Sequence, residues 1–129
     1  MLQIKSGAVI FAKDILRLAE FYRDVLAMPI LLAEKDHIIL ESATFQLVIH
    51  GISKKIAAQI QIETPPALRE DTALKLFFPV ESIAQARLKA KALGGGFKPK
   101  NREWEARGFR ACDGYDPEGN VLQVRELAT

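Results

Sequence analysis

Residues 8–12, AVIFA, form a continuous apolar run bounded by Gly7 and Lys13, a pattern that suits a buried strand. From Asp14 the period changes. Ile15, Leu18, Ala19, Tyr22, Val25 and Leu26 fall on one helical stripe, with Asp14 placed to cap the first free amides and the helix ending before Pro29. Three β candidates follow: ILLAE at 30–34, HIILES at 37–42 and TFQLVIH at 44–50, with turn regions at Lys35-Asp36 and Ser42-Ala43.

The same order then recurs at a shift of 67 residues, which carries Gly7 onto Leu74, Asp14 onto Glu81, Ala19 onto Ala86 and Leu26 onto Leu93. LKLFFPV at 74–80 repeats the apolar strand, and Ser82 with Gln85 forms a capping box. Ile83, Ala86, Ala90 and Leu93 make the second helical stripe, which the glycines at 94–96 end. Further strands are expected near 102–106, 109–115 and 121–126. Between the copies, IAAQIQIE at 56–63 alternates like a strand, although KKIAA also suits a turn of helix. The paired prolines of TPPALREDT, 64–72, break any helix there. The chain is therefore expected to be one α+β domain of two tandem βαβββ modules, with module 1 at about 1–55, a linker at 56–72 and module 2 at about 73–129.

Composition narrows the function classes. A 129-residue chain with 49% hydrophobic and 26% charged residues is an ordinary globular domain. The net charge of +2 is spread among acids, which argues against nucleic acid as a partner. The most basic stretch, GFKPKNREWEARGFR at 96–110, suits anion binding or a solvated hairpin. No apolar stretch is long enough to span a bilayer or to serve as a signal h-region, and Cys112 is the only cysteine. These features lead to an expectation of a cytoplasmic protein in a reducing compartment.

A strand leading into Asp14, a helix containing FYRDVL at 21–26 and a DPEGN turn at 116–120 before the final strand together resemble the vicinal oxygen chelate superfamily. That group includes glyoxalase I, extradiol dioxygenases, fosfomycin-resistance enzymes and bleomycin-binding proteins. The resemblance spans essentially the whole chain. It implies curved mixed sheets around a cleft, commonly in a homodimer, and a divalent ion held by His and Glu on the first and last strands of each module. The positions that look equivalent here are Gly7, Leu74, Gln46 and Gln123. None is an imidazole, carboxylate or thiolate, and such a set lacks the roughly three donors that a catalytic ion ordinarily takes from protein. No metal and no cofactor are expected.

The remaining candidates are weighed one by one. His50 shares a face with Gln46 and is either a general base or a rim residue. His37 is expected in solvent, and Glu41 is either in the cleft or ion-paired. Trp104 is a cleft wall or an interface anchor. Arg110 and Arg125 either grip an anionic ligand or pair with surface Glu. Phe11, Leu76 and Phe78 line the cleft or fill the core, and Cys112 is a nucleophile or an inert buried thiol. The expected ligand-binding set is Gln46, His50, Phe78, Trp104, Arg110 and Gln123. Its expected use is metal-independent binding of a small organic molecule, like that of bleomycin-binding proteins. The alternative is a lyase, isomerase or oxygenase with non-standard ligands or metal-free acid–base chemistry, so whether the chain is an enzyme stays open at this point.

Overall fold

Two mixed sheets, each covered on one side by a helix, account for most of the computed structural model, which describes residues 4–128. Module 1 runs β1 (Ser6–Ala12), α1 (Ile15–Leu26), β2 (Ile30–Ala33), β3 (His37–Glu41) and β4 (Phe45–Gly51), with sheet order β1-β4-β3-β2. A single turn of helix, α2 (Lys54–Ala57), leads out of it. Module 2 runs β5 (Leu76–Pro79), α3 (Ile83–Ala92), β6 (Gly96–Phe97), β7 (Trp104–Ala106), β8 (Phe109–Tyr115) and β9 (Val121–Leu127), ordered β5-β9-β8-β6 with β7 also on β8. In both modules the first strand lies parallel to the last, β1 on β4 and β5 on β9.

The helices start where side chains satisfy free backbone amides. The Asp14 carboxylate accepts the Arg17 amide at 3.1 Å, and the Ser82 hydroxyl accepts the Gln85 amide at 3.1 Å. At the other end α1 stops at Ala27, a left-handed residue with φ 53°, whereas α3 is followed by Gly94 at φ 92°. Arg107 and Gly108, both at positive φ, form the two-residue turn between β7 and β8. That turn sets Trp104 opposite Ala111.

Strand alternation divides each sheet into a packed and an open face. Leu40, Leu47, Ile38 and Ile49 are buried under α1, while Phe78, Leu122, Val124 and Cys112 are buried under α3. The two modules share one core. α1 packs against α3, and the Phe78 ring meets Tyr22 and Phe45 edge-on at centroid distances of 6.0 and 5.7 Å.

The DPEGN turn fastens module 2 onto module 1. Buried Asp116 accepts the Tyr22 hydroxyl at 2.8 Å, and the Glu118 carboxylate accepts the amides of Lys13 and Asp14 at 2.9 and 2.8 Å. Gly119, at φ 86°, lies so close to the Ala67 carbonyl that a Cβ would collide with it. The linker therefore presses directly on the turn.

Between the modules, residues 58–63 do not form the strand that their alternation suggested. The chain makes the alternative helical turn instead, with Ala57 and Ala58 amides bonded to Ser53 and Lys54 carbonyls. The Ile60 carbonyl is satisfied by the Lys13 ammonium instead of by a neighbouring strand. Period-two alternation fits any extended chain lying on a surface, so it does not by itself specify a ladder partner.

Candidate functional site

On the open face of module 1, register places Gly7, Gln46 and Glu41 side by side. The Gln46 amide donates to Glu41 Oε1 at 3.1 Å, and the Lys5 ammonium approaches Glu41 Oε2 at 3.3 Å. Module 2 repeats this arrangement. Gln123 faces Asp113 across β8 and β9, its amide donates to Asp113 Oδ1 at 3.0 Å, and Lys75 Nζ lies 3.5 Å from the same oxygen. Each module thus carries a lysine, a carboxylate and a glutamine in contact. The pairing of opposite charges leaves both trios close to neutral.

Module 2 extends its trio by one member. Arg125 Nε donates to Gln123 Oε1 at 2.7 Å, so the buried glutamine uses its donor and its acceptor. The Arg125 guanidinium carbon stands 3.6 Å from the Phe77 ring centroid and 4.4 Å from that of Phe109. These rings belong to β5 and β8, the strands on either side of β9, so the cation is flanked from both neighbours. Trp104 meets Phe109 edge-on at 5.9 Å and is 44% exposed. Arg125, Phe109 and Leu127 also border an open cleft of about 830 Å³ between the modules. Its other walls are the end of α1, from Asp24 to Ala27, and the start of α3.

The structure brings only some of the expected residues together. Gln123 and Trp104 share the open face of module 2 with Arg125. Gln46 lies on the open face of module 1, bonded within its own sheet, and the main cavities include none bordered by both glutamines. His50 is on the same face as Gln46 but at the far end of the strand, stacked on His37 at 6.1 Å and beside Phe11 at 5.9 Å. Phe78 is 5% exposed and points into the core, because β5 turns its neighbour Phe77 outward. Arg110 is on the α3 side of β8, bonded to Glu105 at 2.7 Å. Neither shares the face of Gln123.

Cys112 is buried, and its sulfur lies 3.6 Å from an Arg87 nitrogen and 3.3 Å from the Lys98 carbonyl. Loss of hydration pushes its thiol up, with Arg87 opposing in part. That leaves it a protonated, packed group.

Solved structures confirm the arrangement of the modules. The chain superposes on a glyoxalase/bleomycin resistance protein/dioxygenase family enzyme from Burkholderia phytofirmans with a TM-score of 0.68, at 17% identity, over 95% of this chain and 98% of that one. A glyoxalase/bleomycin resistance protein from Albidiferax ferrireducens gives 0.67 at 18% identity, covering 95% and 98%. The fosfomycin resistance protein FosX from Listeria monocytogenes gives 0.65 at 17% identity, covering 99% and 96%. The chain shares the fold of these proteins. No protein-family profile matches the sequence, and a comparison with curated proteins finds no match.

The ion that the vicinal oxygen chelate resemblance implies does not fit the residues present. At Gly7 a Cβ would strike the Gln46 carbonyl, so no side chain fits there without moving a strand. By register, the residue of module 2 that lies beside Gln123 as Gly7 lies beside Gln46 is Phe77, not Leu74. Leu74 precedes β5 and is 75% exposed. A phenyl ring thus stands beside Gln123, and it offers a divalent ion no lone pair. Gln123 uses its donor and its acceptor, Gln46 donates to Glu41, and both adjacent carboxylates are already matched by lysines. Among the described residues there is no group of three His, Cys, Asp or Glu able to hold an ion, and no buried side-chain donor or acceptor lacks a partner.

Proposed function

We propose that the protein binds a small organic molecule without a metal, in the inter-module cleft beside Gln123, Arg125 and Trp104. The carrying observation is the lysine–carboxylate–glutamine trio in each module, a nearly neutral network in which the carboxylate beside each glutamine is already matched by an ammonium. What the cleft offers is an apolar wall, the Phe109 ring and a set of polar and charged groups around it, which is how small-molecule pockets are ordinarily built. The exposed apolar residues Val9, Phe11, Phe77 and Leu127 on the open faces support a homodimer that covers part of them. A single buried thiol is in keeping with a cytoplasmic setting.

Isothermal titration of chelator-stripped protein with Ni, Co, Zn and Mn tests the reading. The expected result is no stoichiometric uptake that depends on the glutamines. Micromolar, one-to-one uptake abolished by Gln46→Ala or Gln123→Ala would overturn it.

One observation favours a second reading, an enzyme using metal-free acid–base chemistry. His37 Nδ1 lies 2.7 Å from Asp36 Oδ1, which fixes the ring of an imidazole that stacks on His50. Turnover of a carbonyl or catechol substrate that survives chelation and disappears in His37→Gln would select this reading.

A further inference from the structure

We infer that Arg125 is the anion anchor of the cleft and that the ligand is a small monocarboxylate with a flat apolar body. This rests on the metal-free reading and names the ligand class for the same site. Three features of the arginine carry it.

The guanidinium is fixed before any ligand arrives. Phe77 and Phe109 flank it, and its Nε is committed to Gln123 at 2.7 Å. A planar fork held this way loses little further freedom on binding.

Its positive charge is also uncompensated. Lys75 is matched by Asp113 at 3.5 Å, whereas Arg125 has no carboxylate partner among the described residues. Three acids border the cleft, Asp24, Glu81 and Glu126, and none is bonded to Arg125. Glu126 accepts the Ile83 amide at 3.1 Å on the α3 side, and Asp24 pairs with Arg23 at 2.7 Å. Two terminal nitrogens of Arg125 therefore remain for a two-point contact with a carboxylate. With Asp24, Glu81 and Glu126 against Lys89 and Arg125, the cleft walls carry more acid than base, which disfavours a dianionic phosphate more than a monoanion.

The surroundings then define the rest of the ligand. Phe109 lines the cleft, and the half-exposed rings of Phe77 and Trp104 adjoin it through Arg125 and Phe109. The cleft of about 830 Å³ has room for an apolar body behind the carboxylate, against Val80 and the end of α1.

Trp104 is the only tryptophan and packs on Phe109, which lines the cleft, so its fluorescence reports on this end of the module. Chelator-stripped protein is titrated with benzoate, benzamide and phenylphosphonate at low salt. Benzoate is expected to give a saturable response at least about tenfold tighter than benzamide, weakened by added salt and tighter than phenylphosphonate. Arg125→Gln should lower benzoate affinity by about tenfold or more and leave benzamide unchanged. Arg125→Lys keeps the charge without the fork and should fall in between. Circular dichroism on both variants checks that each is folded.

Equal binding of benzamide and benzoate, or benzoate affinity unchanged in both arginine variants, would overturn the inference and leave the metal-free reading in place. A benzoate response that appears only after Zn is added and still needs Arg125 would overturn the metal-free reading and retain the arginine's role. No response to any of the three probes would overturn the inference itself.

Discussion

Gly7 shows how a single residue restricts the chemistry of a whole strand. Its missing side chain lets β1 approach β4 so closely that a Cβ would overlap the Gln46 carbonyl oxygen. Gly7→Ala is therefore expected to destabilise the protein by about 1–3 kcal/mol, the ordinary cost of overpacking, measured by urea unfolding. A variant as stable as the wild type would show that β1 moves aside freely, and a ligand could then be installed there. The place of Gln123 on the last strand was legible, because its distance from the DPEGN turn is set along the chain. The roles of Phe77 and Phe78 were not. LKLFFPV is apolar throughout, so it carries no alternation from which to decide which ring faces outward. The structure turns Phe77 toward Arg125 and buries Phe78. Arg110 was misplaced for a related reason. A charge says nothing about which face of a half-exposed strand it occupies.

At the scale of elements, both helices were readable from their stripes and caps, since a cap is a contact between residues three apart. The end of α1 is less well suited to its geometry. Ala27 sits at φ 53°, where an L side chain is strained and glycine is not. Ala27→Gly should raise stability by about 0.5–1 kcal/mol, the strain relieved less the entropy glycine adds to the unfolded chain. Thermal and urea unfolding measure this. A loss of stability would mean that the Ala27 methyl contributes more through its contacts at the cleft than its backbone costs. The segment after β4 was misread as strand because an alternating pattern reports only that one side is drier than the other. The Lys13 ammonium that satisfies the Ile60 carbonyl comes from far earlier in the chain.

At the scale of the whole molecule, the two modules are joined by a buried polar network as well as by the shared core. Asp116 accepts Tyr22, both donors of Asn120 and the Glu118 amide, and Glu118 in turn clips the start of α1. The DPEGN pattern predicted a turn, but its partners lie some hundred residues away and no local signal points to them. Burial raises the Asp116 carboxyl above its ordinary value, with hydrogen bonds from Asn120, Tyr22 and the Glu118 amide opposing. The folded protein thus holds this proton more tightly than the unfolded chain does. Stability from this group is full below the unfolded value and declines as pH rises through the folded one. Tyr22, whose hydroxyl stays protonated because burial and Asp116 both raise it, is after Asn120 the next donor that limits that decline. Tyr22→Phe removes a bond to a largely neutral carboxyl at about pH 4, near its ordinary value, and a bond to a more ionised one at neutral pH. The expected deficit is therefore about 1 kcal/mol in acid and about 2 kcal/mol near pH 7.5, from urea unfolding at both. A deficit that is the same at the two pH values would mean that Asp116 does not change its ionisation between them. The network would then hold the modules together as neutral hydrogen bonds or as a permanent charge, with no pH-dependent contribution from this carboxyl.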